Sequence, residues 1–315
     1  MPIRAFIFPG QGSQAIGMGK DLANAFPSAR LTFEEIDEAL NQHLSRLMFE
    51  GPADQLTLTE NAQPALMAVS LAVVRVLQQE AKADLAKLGR FVAGHSLGEY
   101  SALAAAGAFS VADAARLLKA RGLAMQKAVP VGQGAMAALL GVELPMAQEI
   151  AKEAAQGEVC AAANDNAPGQ VVLSGHATAI ERAIAIAPTK GQRIKAMRLN
   201  VSAPFHCSLM QPAADAMKDA LGKMPPKLPN MPLIANVTAS HVSDPGTIRD
   251  LLVEQVTGLV RWRECCLYMQ SQGVETLIEL GAGKILTGMT KRIHPQLAGV
   301  AVGTPADIEA FVKSI

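Results

Sequence analysis

With 315 residues, of which half are hydrophobic and 18% charged, the chain can bury a large core and is expected to divide into two unequal units. Its 28 basic and 28 acidic residues cancel, which excludes an overall field that would recruit nucleic acid or anionic lipid. Four cysteines without a C-x-x-C pair, no signal peptide and no apolar run of the roughly 18 residues that a membrane span needs predict a cytoplasmic protein outside the membrane.

The first predicted element is a buried strand over residues 3–8, which runs into a glycine-rich turn, PGQGSQ, over residues 9–14. Gly10, Gly12 and Ala15 fit a loose dinucleotide-binding fingerprint, which needs a second strand ending in an acid about 20 residues further on. That strand is missing, because the chain continues there with acidic and apolar residues at helical spacing. We therefore predict a turn that faces Ser96 instead of a nicotinamide or flavin site.

The pentapeptide GHSLG over residues 94–98 is the centre of the predicted chemistry. It stands between an apolar run over residues 88–93 and an alanine-rich stretch over residues 99–106, which predicts strand, sharp turn and helix. This order is that of a nucleophile elbow, which lifts the serine, Ser96, out of the sheet. The helix N-terminus favours negative charge, so the Leu97 N–H is a natural oxyanion donor. The alternative is a serine that only caps a helix.

Two longer helices are predicted around the elbow. The first helix is predicted to begin at Thr59, because a broad apolar face starts there. The second is predicted to begin at a capping box at Ser110 and to run toward residue 128. This second helix carries two arginines. Arg116 is predicted to be solvated, whereas Arg121 lies among leucines and alanines, so its charge needs a partner.

Residues 131–199 show the order strand, helix, strand, strand, helix, strand, which is the split pattern of a ferredoxin-like subdomain. The predicted segments are 136–140, 145–156, 159–163, 171–173, 178–187 and 194–199. The predicted hairpin turn over residues 164–170, NDNAPGQ, has more amides than a turn requires, so Asn166 is a candidate ligand contact. Asn and Gly also suit tight turns by themselves, which is the alternative.

His206 is the candidate base, because it lies at a loop-to-helix junction between apolar residues, before a helix predicted over residues 208–223. Its neighbour Cys207 is predicted to be a small buried thiol. Asp244 and Asp250 are candidates for an acid that would orient the histidine. No histidine belongs to an H-E-x-x-H pattern, so no metal site is predicted.

The C-terminal part alternates predicted strands at 233–237 and 276–280 with predicted helices at 248–256 and 263–272. This alternation predicts a parallel sheet with covering helices. The sequence GAGK over residues 281–284 is not a Walker loop, because its glycine spacing is wrong and Ile285 follows the lysine.

Taken in order, these motifs resemble those of malonyl-CoA:acyl carrier protein transacylases. The matching residues are PGQGSQ at 9–14, GHSLGEY at 94–100, Arg121, Asn166 and PFHC at 204–207, which span nearly the whole chain. The resemblance implies an α/β fold: an α/β-hydrolase-like larger subdomain with a parallel sheet (1–130 and 200–315) and an inserted ferredoxin-like smaller one (131–199). Ala282 replaces the proline of the family's G-P-G-K, which implies a change in loop stiffness only.

The resemblance also implies roles for single residues. Ser96 would be the nucleophile and His206 the base. The backbone N–H groups of Gln11 and Leu97 would form the oxyanion hole, and Arg121 would bind the malonyl carboxylate.

Three further residues take roles from the same resemblance. The backbone carbonyl of Gln255 would orient the histidine in place of an acid. Asn166 would contact substrate, and Phe205 would restrict the space beside the malonyl α-carbon and disfavour methylmalonyl-CoA.

The implied activity is ping-pong transfer of malonyl from malonyl-CoA to the phosphopantetheine thiol of holo acyl carrier protein, for fatty acid or polyketide synthesis. The implied enzyme is a monomer without a resident cofactor. A serine hydrolase of esters or thioesters would use the same residues with water as acceptor, and a carrier-docking protein without turnover is the non-enzymatic alternative. The family's carrier is acidic, so a basic patch is expected at Lys284, Lys291 and Arg292, with Lys195 and Arg198 as rivals.

Overall fold

Ten strands form two sheets within residues 2–191 and 193–315, which are the residues that the computed structural model describes. The strands are β1 (Arg4–Phe8), β2 (Gly89–Gly94), β3 (Gly134–Leu140), β4 (Cys160–Ala167), β5 (Gln170–His176), β6 (Lys195–Arg198), β7 (Leu233–Ala235), β8 (Ser240–Val242), β9 (Thr276–Leu280) and β10 (Ala298–Val302). The larger sheet has the order β10-β9-β1-β2-β7-β8 and is parallel except for the β7–β8 pair.

Helices fill most of the connections between these strands. They are α1 (Lys20–Ala25), α2 (Pro27–Leu40), α3 (Leu44–Glu50), α4 (Ala53–Thr57), α5 (Thr59–Gln79), α6 (Leu85–Leu88), α7 (Gly98–Ala105), α8 (Val111–Ala128), α9 (Leu144–Ala155), α10 (Ala177–Ile186), α11 (Gln211–Lys223), α12 (Pro245–Glu254), α13 (Trp262–Ser271), α14 (Thr287–Ile293) and α15 (Pro305–Val312). Within the described ranges, none is long and apolar enough to cross a membrane.

The central strand β1 is buried along its whole length because both faces of the larger sheet are covered. Phe6 and Phe8 point into a core cluster that includes the apolar residues of α5 and α8, while Ile7 belongs to a second cluster with Trp262 of α13. Successive side chains of a strand point to opposite faces, so two helix layers enclose this sheet. The predicted α/β class is confirmed.

The smaller sheet is antiparallel, with the order β4-β5-β3-β6, and α9 and α10 pack against it around Ile150, Leu173 and Ile180. This element order and strand order are those of a ferredoxin-like unit, as predicted. Strands β3 to β6 fall inside residues 131–199. The exact limits of this unit stay a prediction.

The predicted turn over residues 164–170 is wrong. Strand β4 continues to Ala167, and only Pro168 and Gly169 lie in the turn. The reason is that residues 164, 165 and 167 pair with Val172, Val171 and Gln170 of β5, so the hairpin closes in two residues. Asn164 also forms a bridge with Val260, whose carbonyl accepts the Asp165 N–H at 2.9 Å, and this bridge joins the small sheet to the segment before α13.

Candidate active site

The elbow lies where β2 ends, beside the end of β1. Ser96 has a φ of 53°, in the left-handed region that a serine seldom adopts. A Cβ at position 94 would lie 1.8 Å from the Gly98 carbonyl carbon, and one at position 98 would lie 2.3 Å from the Phe8 carbonyl oxygen. Glycine is therefore required on both sides of the serine, as the pentapeptide predicts.

Ser96 and His206 form a hydrogen-bonded pair, with Ser96 Oγ 2.7 Å from His206 Nε2. On the other side of the ring, His206 Nδ1 lies 2.9 Å from the backbone oxygen of Gln255. A carbonyl can only accept, so Nδ1 carries the ring hydrogen and Nε2 is free to accept the serine proton. Burial, and next the charge of Arg121, lower the pKa of His206 to about 3, which keeps the imidazole neutral.

The alternative of an acid partner for His206 is wrong. Asp244 caps α12, accepting hydrogen bonds from the Thr247 N–H at 2.7 Å and its hydroxyl at 2.8 Å. Asp250 pairs with Arg249 at 2.8 Å on the surface. Both carboxylates therefore have partners on α12. The Gln255 carbonyl is the group that accepts from His206 Nδ1, where an acid would accept in a triad.

Arg121 is 1% exposed, and its partners are neutral. Its Nη1 donates to Gln63 Oε1 at 2.8 Å, while Nη2 donates to Gln255 Oε1 at 2.8 Å and to Ser96 Oγ at 3.1 Å. Among the residues described, its Nε has no hydrogen-bond partner. A buried cation that lines the cavity beside Ser96 is suited to bind a carboxylate. Arg116, by contrast, is half exposed and pairs with Asp113.

Two backbone N–H groups are available near Ser96 to hold an oxyanion. The N–H of Ser96 itself is engaged, since it donates to Asn236 Oδ1 at 2.8 Å. In the part of the chain that the structure describes, the N–H groups of Gln11 and Leu97 have no protein acceptor, and both residues line the cavity above the serine. This arrangement is suited to an oxyanion hole.

The cavity has a volume of about 290 Å³ and lies between the larger sheet and the small antiparallel sheet. Its floor is polar, with Ser96, His206 and Arg121, and its wall is apolar. The apolar wall is formed by Met125, Met136, Leu199, Val201 and Phe205.

Asn166 reaches the cavity through His95, because its Oδ1 lies 2.8 Å from His95 Nε2 and His95 lines the cavity. Its proposed contact with substrate stays a prediction. Across residues 2–191 and 193–315, no cluster of three or more His, Cys, Asp or Glu side chains could hold a metal ion.

Sequence reasoning missed three residues that surround the site. Gln63 accepts from Arg121, Asn236 accepts from the Ser96 N–H, and Glu99 accepts from the Gln255 side chain at 2.6 Å. Asn236 directly follows β7, at the carboxyl end of a parallel strand next to the elbow, and that position was the available signal.

Known proteins match this chain over its whole length. A family model described as acyl transferase domain matches residues 5–303. The malonyl CoA-acyl carrier protein transacylase of Escherichia coli K12 is 45% identical over 309 residues, covering 98% of each chain.

Two solved structures are also similar. An acyl-carrier-protein-S-malonyltransferase from Bartonella henselae is 55% identical, covers 99% of each chain and superposes with a TM-score of 0.96. A malonyl-transacylase solved in complex with its type II PKS acyl-carrier protein is 40% identical, with a TM-score of 0.94 over 99% of this chain and 100% of that one. The chain therefore belongs to the acyl transferase domain family, whose members similar to it include malonyl CoA-acyl carrier protein transacylases.

Proposed function

We propose that the protein transfers a malonyl group from malonyl-CoA to the phosphopantetheine thiol of acyl carrier protein, through a malonyl ester on Ser96. One observation carries the proposal: Ser96 Oγ lies 2.7 Å from His206 Nε2 and 3.1 Å from Arg121 Nη2. A nucleophile with its base thus shares a cavity with a buried cation. A malonyl thioester has a carbonyl for the first and a carboxylate for the second.

In the first half-reaction, Ser96 Oγ attacks the thioester carbonyl while His206 Nε2 takes its proton. The N–H groups of Gln11 and Leu97 hold the resulting oxyanion. The C–S bond then breaks, and the proton on His206 passes to the departing CoA sulfur. The product is malonyl-Ser96 and free CoA.

The second half-reaction reverses these roles. His206 takes the proton of the carrier thiol, the sulfur attacks the ester carbonyl, and Ser96 Oγ leaves with the proton. Arg121, which lines the cavity with its Nη2 3.1 Å from Ser96 Oγ, holds the carboxylate throughout. Phe205, on the apolar wall, limits the space beside the malonyl α-carbon, which disfavours a methyl group there by about 1–3 kcal/mol.

Several features of the protein support this reading. A relative of the same fold is solved with its acyl-carrier protein bound, which supports the acceptor.

The four cysteines are free, and we propose a cytoplasmic location and a monomer. We also propose residues 131–199 as the inserted subdomain, which supplies Met136 and Leu199 to the cavity wall. The reaction needs no resident cofactor, because the thioester itself supplies the activated acyl group.

Intact mass spectrometry tests the proposal directly. We expect malonyl-CoA alone to add one malonyl group to the protein, and holo acyl carrier protein to remove it and gain the same mass. Ser96→Ala protein, as the matched control, stays unmodified. A malonyl adduct on Ser96→Ala protein contradicts the nucleophile, and steady release of malonate without carrier shows a hydrolase instead.

A further inference from the structure

An acid beneath the elbow takes no part in the steps above. Glu99, in the first turn of α7, is 1% exposed, and both its oxygens accept hydrogen bonds from amide groups. The backbone N–H of Asn236 donates to Oε1, and Gln255 Nε2 donates to Oε2 at 2.6 Å. A buried acid is costly unless it serves these partners, so its place needs an explanation.

The first branch of contacts runs through Gln255 to both functional groups. Its Nε2 donates to Glu99 Oε2 at 2.6 Å and to the Ser96 backbone oxygen at 2.9 Å, and its Oε1 accepts from Arg121 Nη2 at 2.8 Å. Its backbone oxygen receives His206 Nδ1 at 2.9 Å. An ionised carboxylate and a backbone carbonyl can only accept hydrogen bonds, so Glu99 and the Ser96 oxygen together hold the nitrogen end of the Gln255 amide and leave its oxygen for the guanidinium.

The second branch runs through Asn236 to the elbow. Asn236 Oδ1 accepts the Ser96 N–H at 2.8 Å, and its Nδ2 donates to the Gly94 oxygen at 2.7 Å. These two bonds hold the strained backbone on both sides of the nucleophile. Glu99 is thus connected to Ser96, His206 and Arg121 through Asn236 and Gln255.

The negative charge of ionised Glu99 also acts on Arg121. Arg121 makes its hydrogen bonds to neutral oxygens, and Glu99 attracts it electrostatically from behind the Gln255 amide. Burial raises the pKa of Glu99 to about 8, against the lowering effects of the Asn236 and Gln255 donors and of Arg121. Because both oxygens face N–H donors, the network is complete when the carboxyl is ionised, which is its main form above about pH 8. Transfer assays above this pH therefore test the ionised form.

We propose that Glu99 is a positioning residue, which as a carboxylate fixes the Gln255 amide and through it the Arg121 guanidinium that binds the substrate carboxylate. This inference rests on the proposed function. A glutamine at position 99 would keep the shape but would present a donor to one of two N–H groups. One of the two hydrogen bonds would be lost together with the charge, which weakens the hold on the Gln255 amide.

The test compares Glu99→Gln and Glu99→Asp with wild type in malonyl and acetyl transfer to acyl carrier protein. We expect Glu99→Gln to lower kcat/KM for malonyl-CoA by about tenfold or more, the scale of a hydrogen bond to a charged group, and to lower it less for acetyl-CoA. The malonyl-to-acetyl preference therefore falls. Glu99→Asp, which keeps the charge, recovers part of this preference.

Glu279 on β9 provides the matched control for burial of an acid. It is also fully buried and accepts hydrogen bonds from the Leu286 and Thr287 N–H groups, outside the cavity lining. Glu279→Gln should lower the unfolding free energy and leave the malonyl-to-acetyl preference unchanged. If the preference in Glu99→Gln is also unchanged, or if Glu279→Gln changes it equally, the positioning role is overturned.

Two further outcomes are decisive. Should Glu99→Gln fail to fold, Glu99→Asp alone decides, since a preference equal to that of wild type overturns the inference and a lowered one supports it. Wild-type protein that forms no malonyl adduct refutes the proposed function and this inference together. A normal wild-type adduct with an unchanged Glu99→Gln preference refutes the positioning role alone.

Discussion

At the scale of single residues, we expect Arg121 to determine the choice between malonyl and acetyl groups. Arg121→Ala should lower malonyl transfer by about tenfold to a hundredfold, the value of a charge-assisted pair, while acetyl transfer is kept or improved. Arg121→Lys should recover malonyl transfer only in part, since an ammonium cannot reproduce the planar fork. Initial rates with malonyl-CoA and acetyl-CoA measure both effects.

Arg116 supplies the control for Arg121, because it lies on the same helix, is half exposed and pairs with Asp113. Arg116→Ala should leave both rates unchanged. Equal losses of malonyl and acetyl transfer in Arg121→Ala protein would show that the arginine is structural and does not bind the carboxylate.

His206 links the active site to the pH dependence of stability. The pKa of His206 is about 3 in the folded protein, below the ordinary value of 6.5. Between these two pH values, the unfolded chain therefore binds a proton at His206 that the folded protein does not bind. The contribution of His206 to stability is complete above pH 6.5 and is lost as pH falls toward 3. The slope approaches about 1.4 kcal/mol per pH unit.

Urea unfolding at pH 7.5 and pH 5 measures this effect. His206→Gln should lose less stability between the two pH values than wild type does. His43→Gln, at an exposed histidine, serves as the control and should behave as wild type. The assignment to His206 is contradicted when the His206→Gln and wild-type differences are equal.

Residues at the site differ in how far the sequence reveals them. Ser96, Leu97 and the glycines around them form a local turn whose residue types are dictated by backbone geometry, so they are readable from one pentapeptide. Gln63 and Asn236 reach the site from separate elements as single amides. Gln63 lies within a helix with no local signal of this contact, and for Asn236 the only signal is its position directly after β7, so the fold alone brings the two amides together.

At the scale of the element, the elbow depends on close contact between helix α7 and strand β1. A Cβ at position 98 would lie 2.3 Å from the Phe8 oxygen, so Gly98→Ala must push α7 away from β1. We expect Gly98→Ala to lower the unfolding free energy by about 1–3 kcal/mol, as overpacking does. It should also slow acylation of Ser96, measured by the rate of adduct formation.

Gly222 in α11 is the matched control, since a Cβ there meets nothing within 4 Å. Gly222→Ala should keep or raise stability by up to about 1 kcal/mol and leave acylation unchanged. Normal stability and normal acylation in Gly98→Ala protein would show that the close approach to β1 is not required.

Elements with strong local patterns were predictable, and those defined by distant partners were not. The alternation of strands and helices in residues 134–198 indicates the βαββαβ order directly. By contrast, the amide-rich residues 164–167 lie in β4, because they pair with β5 in an irregular register and Asn164 bridges Val260, almost a hundred positions away. The short strands β8 and β10 were not predicted, since a three-residue edge strand and a small-residue strand carry little periodicity.

At the scale of the whole molecule, the net charge is zero, so an acidic carrier has to be bound by a local basic patch. The candidate cations of this patch differ in the contacts that they make. Arg292 donates to the Pro168 oxygen and Gln170 Oε1, so it ties α14 to the small sheet. Arg198 pairs with Glu181 at 2.6 Å. Lys284 lies on the loop whose Gly283 approaches Ser13, next to the turn that lines the cavity.

We favour Lys284 and Lys291 as the docking charges for an acidic carrier, since Lys291 bonds to the nearby Pro295 oxygen at 3.0 Å and neither lysine pairs with an acid among the described residues. Both are exposed, and exposed charges mainly raise the association rate in a salt-sensitive manner. Reversal of both to glutamate should therefore raise the KM for acyl carrier protein about two- to tenfold at low salt, with a smaller effect at high salt. Acylation by malonyl-CoA alone, followed by mass, should stay near wild type. Reversal of Lys195 and Arg198 tests the rival patch on β6: a rise in carrier KM for that pair, with none for Lys284 and Lys291, would move the docking surface to the small sheet.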